Sequence, residues 1–218
     1  MTPTAPEPSA DPADREGRET TGFSRVVNLS DAVFAIAMTL LVLTVDVPRV
    51  PADELAGALL ADLPQLGAYA LAFALVASQW YAHRKLFERL AFTEPGLTVL
   101  NLVALGLIAL VPFPTSVLGS YPTATAAVAP FLAIFVALTI AYIALIVRAQ
   151  TIGAWTERLP DLAYRRVVLA FLANAATLLL GIAVSLWVPI AALAMAAVSS
   201  APVFAILRTV PVPYRRWF

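Results

Sequence analysis

The chain has 218 residues, of which 61% are hydrophobic and only 13% charged, with zero formal net charge. Soluble domains carry about 25% charged residues, and a chain of this length cannot hide so much apolar surface in a core of its own, so lipid is its natural solvent. The balanced charge removes an electrostatic case for nucleic acid, and with no cysteine and one histidine, His83, neither a disulfide nor an all-protein zinc site is expected.

The first 22 residues, opening MTPTAPEPSADPADREGRET, are rich in proline, alanine and acids and contain no apolar stretch. They predict a disordered tail rather than a signal peptide, with the first hydrophobic segment acting as an uncleaved signal anchor. Residues 23–208 form the membrane domain. A span needs roughly 20 largely apolar residues to cross a hydrocarbon core of about 30 Å. Six segments qualify: about Arg25–Val45, Leu66–Phe87, Leu97–Leu118, Ala124–Val147, Val167–Trp187 and Ile190–Leu207. A short interfacial helix is expected over Ala52–Asp62, and a tight turn at Trp187-Val188-Pro189. Residues 209–218 are a C-terminal tail. The expected fold is thus an all-α integral membrane protein with six transmembrane helices per chain.

Orientation follows from lysine and arginine, which concentrate on the cytoplasmic side. Thirteen of the 14 basic residues fall before span one or after spans two, four and six, and Arg49 alone falls in the gaps between. Five or seven spans would spoil that separation. Both termini are therefore expected in the cytoplasm, with the protein in the cell membrane.

Span one reads RVVNLSDAVFAIAMTLLVLTVDV. Its first half holds Arg25, Asn28, Ser30 and Asp31. An ionisable group at such depth costs roughly 2.5 kcal/mol or more in lipid, so Asp31 should face protein or water and have partners. The cluster reads either as a structural lock at a helix end or as a group lining or bracing an ion pathway, and the two are compatible. Beyond Asp31, Ile36, Thr39, Leu40 and Leu43 recur at the three- and four-residue spacing of one helical face. By composition alone that face is ordinary packing or lipid-facing surface. His83 reads as a structural hydrogen-bonding group near Trp80 and Asp31 more readily than as a pH sensor.

These residues resemble the signature of the transmembrane protein 175 family, the lysosomal potassium channels and their prokaryotic relatives. The family pattern Arg-x-x-x-Phe-Ser-Asp matches Arg25, Ser30 and Asp31, with Leu29 in place of the phenylalanine. Trp80 and His83 match its Trp-x-x-His element at the end of span two. Asn101 and the stretch Pro112-Phe113-Pro114-Thr115 in span three are also similar. The likeness covers roughly Arg25 to Tyr121.

The resemblance implies a homotetramer around a central pore lined by the first helix, an unconventional potassium channel without a TVGYG filter. Ile36 would be the narrowest ring, Thr39 or Leu40 the next and Leu43 the outermost. Arg25, Ser30, Asp31, Trp80 and His83 would brace that helix. The expected function is a cation channel modestly selective for potassium over sodium, with potassium ions, the lipid bilayer and further copies of the chain as partners. No metal beyond transient potassium and no cofactor is implied, and an enzyme is not expected, since the sequence has neither a phosphate loop nor a nucleophile elbow. The rival is a proton-coupled secondary transporter with Asp31 and His83 as the relay. Sparse polar residues in spans three to six argue against its substrate pocket.

Overall fold

The computed structural model describes the backbone of residues 12–157 and 160–199, with side chains from residue 22 onward. The first helix, α1, runs Pro12–Leu40 and tightens into a 3-10 turn at Leu41–Thr44. It begins inside the segment that the sequence reads as a tail. The run after Pro12 is polar and charged, with Ala13, Arg15, Glu16, Arg18 and Glu19 as good helix formers, and proline is well suited to a first helical position, so the helix begins well before the apolar segment. Residues 1–11 lie outside the described residues.

The short helix α2 occupies Leu55–Ala61, inside the segment expected to be interfacial. Helix α3 follows at Leu63–Phe87, bent 44° from α2. Helices α4 (Pro95–Leu110) and α5 (Pro112–Ser120) make one apolar stretch interrupted at Val111. Pro112 and Pro114 supply no amide protons to the preceding turn, which accounts for the break. Helix α6 spans Thr125–Ile152, α7 Asp161–Val184 and α8 Pro189–Ala197. Gly153 ends α6 at φ 67°, a left-handed conformation that glycine adopts without a steric penalty.

Four described stretches are long and apolar enough to cross a membrane: Gly22–Thr44, Pro95–Ser120, Thr125–Ile152 and Asp161–Val184. The bent pair α2–α3 makes a fifth when taken as one span. Of the sixth expected segment, α8 covers the part up to Ala197, and residues 200–207 lie outside the described residues, as does the C-terminal tail. The protein is a multi-pass helical membrane protein.

Burial separates the helices by role. Within its most apolar window α6 is 56% buried, whereas the window in Gly22–Thr44 is 22% buried. Helix α6 is therefore the hub, and its Phe131 and Phe135 rings meet edge to face at 5.3 Å in the centre of the core. Helix α1 sits at the margin with most of its surface uncovered.

Polar side chains join the hub to its neighbours. The Asn174 carbonyl on α7 accepts from the Thr139 hydroxyl at 2.9 Å, and its amide donates to the Ser199 carbonyl at 2.8 Å. At the other end of α6, the Arg148 guanidinium donates to Glu94 at 2.9 Å. Glu94 also caps α4 by accepting from the Leu97 amide at 3.0 Å. The Arg148 hydrogen bond, with the Gly96 and Leu97 amides, pulls the Glu94 carboxyl down to about 2. Gly96 is what lets the carboxylate fold back, since a Cβ there would lie 2.6 Å from Glu94 Oε1 and 3.2 Å from Arg148 Nε.

Candidate functional site: a polar brace and an uncovered stripe on α1

Helix α1 presents two unlike faces. Ser30, Phe34, Ala37 and Leu41 are all at most 2% exposed and follow one another by four, three and four residues, the spacing of a single helical face. They seat α1 against the bundle. Rotated away from them lie Leu29, Ile36, Leu40 and Leu43, at 47%, 57%, 43% and 74% exposure.

The inward face is fixed by a directional chain of hydrogen bonds. The Ser30 hydroxyl donates to the Val26 carbonyl at 2.9 Å, so it accepts from a neighbour. That neighbour is the Asn101 amide nitrogen on α4, at 3.0 Å. The Asn101 carbonyl is thereby turned to His83 Nε2 on α3, at 2.8 Å. An acceptor in that position assigns the histidine proton to Nε2. Ser30, Asn101 and His83 are 0%, 1% and 2% exposed, so the chain is dry and joins three helices. The imidazole is stacked on Phe87 at 4.2 Å and tilted against Phe34 at 5.4 Å, which leaves its ring little freedom to turn.

A second tie lies nearer the surface. The Trp80 indole N–H on α3 donates to Asp31 Oδ1 at 2.9 Å. The Arg84 guanidinium sits 5.9 Å over the same indole and pairs with Glu88 at 2.8 Å. That hydrogen bond holds the Glu88 carboxyl below its usual value. Trp80 is thus held from both sides, by a carboxylate at its N–H and a cation on its face.

Of the residues singled out in the sequence, Ser30 and His83 share one network and Asp31 and Trp80 another. Arg25 is exposed and, among the described residues, forms no ion pair with Asp31. Six positions along an α-helix turn the side chain by roughly 120°, so the two point apart. The middle of the buried chain is Asn101, which was noted in span three but not among the bracing residues. Its signal was a carboxamide in an otherwise apolar stretch, which needs a partner because lipid offers none.

The stripe residues have no such ties. Thr39 is exposed, and its hydroxyl donates to the Ile36 carbonyl at 2.8 Å, leaving the oxygen lone pairs free to accept. The 3-10 turn after Leu40 has three residues per turn, so Leu40 and Leu43 come into line one above the other. No group of three or more acidic or histidine side chains is placed to hold a metal among the described residues.

A marginal apolar helix, pinned by buried hydrogen bonds on one face and bare on the other, belongs to a multi-pass helical membrane protein. The comparisons with known proteins give the family. Residues 25–112 match the family described as the endosomal/lysosomal potassium channel TMEM175. A potassium channel of Streptomyces collinus is 41% identical over 100 residues, covering 44% of this chain and 48% of that one. A potassium channel of Chamaesiphon minutus is 35% identical over 133 residues, covering 58% and 66%. A crystal structure of a lysosomal potassium-selective channel TMEM175 homolog from Chamaesiphon minutus superposes with a TM-score of 0.74 at 27% identity, over 88% of this chain and all of that one. The chicken relative, named an endosomal/lysosomal proton channel, is 28% identical over 108 residues, which are 49% of this chain and 22% of that one. The sequence matches therefore span from about a fifth to about two thirds of the length of the Streptomyces, Chamaesiphon and chicken relatives. The chain belongs to the TMEM175 family, a family of ion channels and not of enzymes.

Proposed function

We propose that the protein is a cation channel of the cell membrane, modestly selective for potassium over sodium. Four copies surround one pore, each with six spans and both termini in the cytoplasm. The α1 stripe lines the pore, with Ile36 as the narrowest ring, Thr39 and Leu40 beside it and Leu43 outermost. Ser30, Asp31, Trp80 and His83, with Arg25 at the mouth, hold that helix in place. The observation that carries this reading is the contrast across α1, whose inward face is locked by the Ser30–Asn101–His83 chain while Ile36, Leu40 and Leu43 are uncovered.

A ring of four isoleucines would gate by dewetting and by size. An ion passing it sheds part of its water, and potassium holds that water less tightly than sodium. Four Thr39 oxygens with free lone pairs would compensate a partly dehydrated cation. Asp31 would raise the cation concentration at the cytoplasmic mouth. The transporter alternative needs a proton relay between Asp31 and His83. Their separate partners, Trp80 for one and Asn101 for the other, count against it.

The test is electrical recording from purified protein in planar bilayers, with potassium on one side and sodium on the other. Unitary currents reversing toward the potassium equilibrium potential are expected. Saturable uptake without unitary currents would refute the channel reading.

A further inference from the structure

The brace lies at one end of α1. Something must also hold the other end, where the helix has tightened to 3-10 and the chain turns away after Thr44. Val45 still donates within the turn, to the Val42 carbonyl at 3.2 Å. The next amide, at Asp46, has left the helix and has no carbonyl of its own segment to meet. It donates to the side-chain carbonyl of Gln65, 19 residues ahead, at 2.8 Å.

Gln65 is well suited to bear that load. It lies at the start of α3, and its amide nitrogen is 3.4 Å from Asp62 Oδ1, so the carboxamide cannot rotate without losing both partners. Its backbone is pressed by α5, where a Cβ added to Gly119 would come within 3.2 Å of Gln65 Cα. Glycine at that position lets the two helices meet. The carboxamide thus reaches from a fixed backbone to the chain that continues α1. Between them opens a cleft of about 490 Å³ lined by Val42, Leu43, Asp46, Leu59, Asp62 and Leu66. Leu43, at 74% exposure, forms one edge of it and has little packing of its own to hold it.

We propose that Gln65 is a positioning residue for the outer end of the pore helix: its side-chain carbonyl, held by Asp62 and by the α3–α5 contact, fixes the Asp46 amide and so sets the place of Leu43. The inference rests on the pore reading above. It gives α1 a second anchor, independent of the Ser30–Asn101–His83 chain, with the stripe suspended between them. It also makes acceptor chemistry, rather than charge or bulk, the property required at position 65.

The chain has no cysteine, so Leu43→Cys introduces one reactive thiol per copy without background. The full-length channel is recorded in bilayers while a neutral hydroxyethyl methanethiosulfonate is applied from the outer side. Its rate of current block reports how Leu43 is held, a quantity that general destabilisation does not set. With Gln65 in place, slow block is expected. Gln65→Met keeps length and packing but lacks the acceptor, and should speed block about fivefold, the population change that one lost hydrogen bond produces. Gln65→Glu keeps an acceptor oxygen for the Asp46 amide but puts a second carboxylate oxygen where the amide nitrogen lies 3.4 Å from Asp62 Oδ1, so it is combined with Asp62→Asn, whose amide restores a donor there; the pair should leave the rate within about twofold of the parent. Gly119→Ala, which pushes on Gln65 without touching its chemistry, should speed block as Gln65→Met does, and carries the test if the methionine variant fails to assemble. Block in all backgrounds at one rate overturns the role of Gln65 and leaves the pore reading intact. Block equally fast in the Gln65→Glu/Asp62→Asn pair and in Gln65→Met overturns the acceptor argument. A Leu43→Cys channel that no reagent blocks in any background overturns the pore reading itself.

Discussion

Replacing Asn101 by leucine removes the middle of the buried chain while keeping the number and branching of side-chain heavy atoms. Two hydrogen bonds between helices disappear, to His83 at 2.8 Å and to Ser30 at 3.0 Å. Hydrogen bonds between membrane helices average about 0.6 kcal/mol each. The His83 N–H, on a residue 2% exposed, is also left without an acceptor in a dry site, which adds about 1 kcal/mol or more. Leucine fills the space, so no large cavity term follows. The expected loss is about 2 kcal/mol, measurable by reversible unfolding with a denaturing detergent in mixed micelles. Ser30→Ala alone should cost about 1 kcal/mol, because one hydrogen bond of the chain goes and its serine donor to Val26 goes with it. Combined with Asn101→Leu it should cost less than the sum, with a coupling of roughly 0.5–1 kcal/mol. A loss under about 0.5 kcal/mol for Asn101→Leu, or strict additivity with Ser30→Ala, would refute the description of these three side chains as one network.

Trp80→Phe keeps a smaller aromatic face beneath Arg84 and removes the N–H to Asp31. It should cost under about 1 kcal/mol, as for an exposed charge-assisted bond, yet raise amide hydrogen exchange across residues 25–31; unchanged exchange there would show that the bond does not hold α1. Ile36→Asn should wet the proposed constriction, raising cation flux and lowering potassium-over-sodium discrimination, both read from bilayer currents and reversal potential. The Glu94 carboxyl lies below its usual value, at about 2, so the stability its charge confers is fully present above about pH 4.5 and is lost as pH falls toward 2. The melting-temperature difference between wild type and Glu94→Gln should therefore be flat from pH 8 to 5 and shrink toward pH 2.5. Gly96→Ala should lower the melting temperature by driving a methyl into Glu94 Oε1, and the loss should largely vanish in the Glu94→Gln background if the carboxylate's placement is what glycine protects.

What the sequence makes legible here depends on the range of the physics involved. Hydropathy is additive along the chain, so the middles of Thr125–Ile152 and Asp161–Val184 were legible, while the polar ends of both, past Val147 and before Val167, were not. The turn before α8 was legible because Pro189 acts on its own backbone, whereas the break at Pro112 and the end of α6 at Gly153 were not read. The start of α1 was not legible, because a polar, charged stretch carries no apolar signal whether it is coiled or helical. Partner identity was the least legible. Asp31 announces its need for a partner by its charge, but nothing local says that Trp80 will meet it, 49 residues on, or that Arg25 will point elsewhere. Asn101 is quieter still, since one carboxamide in an apolar span scarcely changes the hydropathy. Its importance appears only when the bundle sets it between Ser30, 71 residues before it, and His83.

The same reasoning explains why α1 differs so much from α6. Helix α6, at the centre of the bundle, is held mainly by packing, with more than half of its most apolar window buried. A helix at the margin has one covered face, and in lipid no hydrophobic force presses that face inward, because acyl chains are as apolar as leucine. Such a helix has to be fastened by hydrogen bonds, which lipid cannot offer as substitutes. Helix α1 is fastened by Ser30 and Asp31 at one end and by the Asp46 amide beyond its other end, and between these points the inward contacts are Phe34, Ala37 and Leu41. The fastenings leave the face bearing Ile36, Leu40 and Leu43 free of any internal duty. Its apolar character is then a property that only a surface outside the single chain can use, which is why the proposed constriction and the two anchors stand or fall on different experiments.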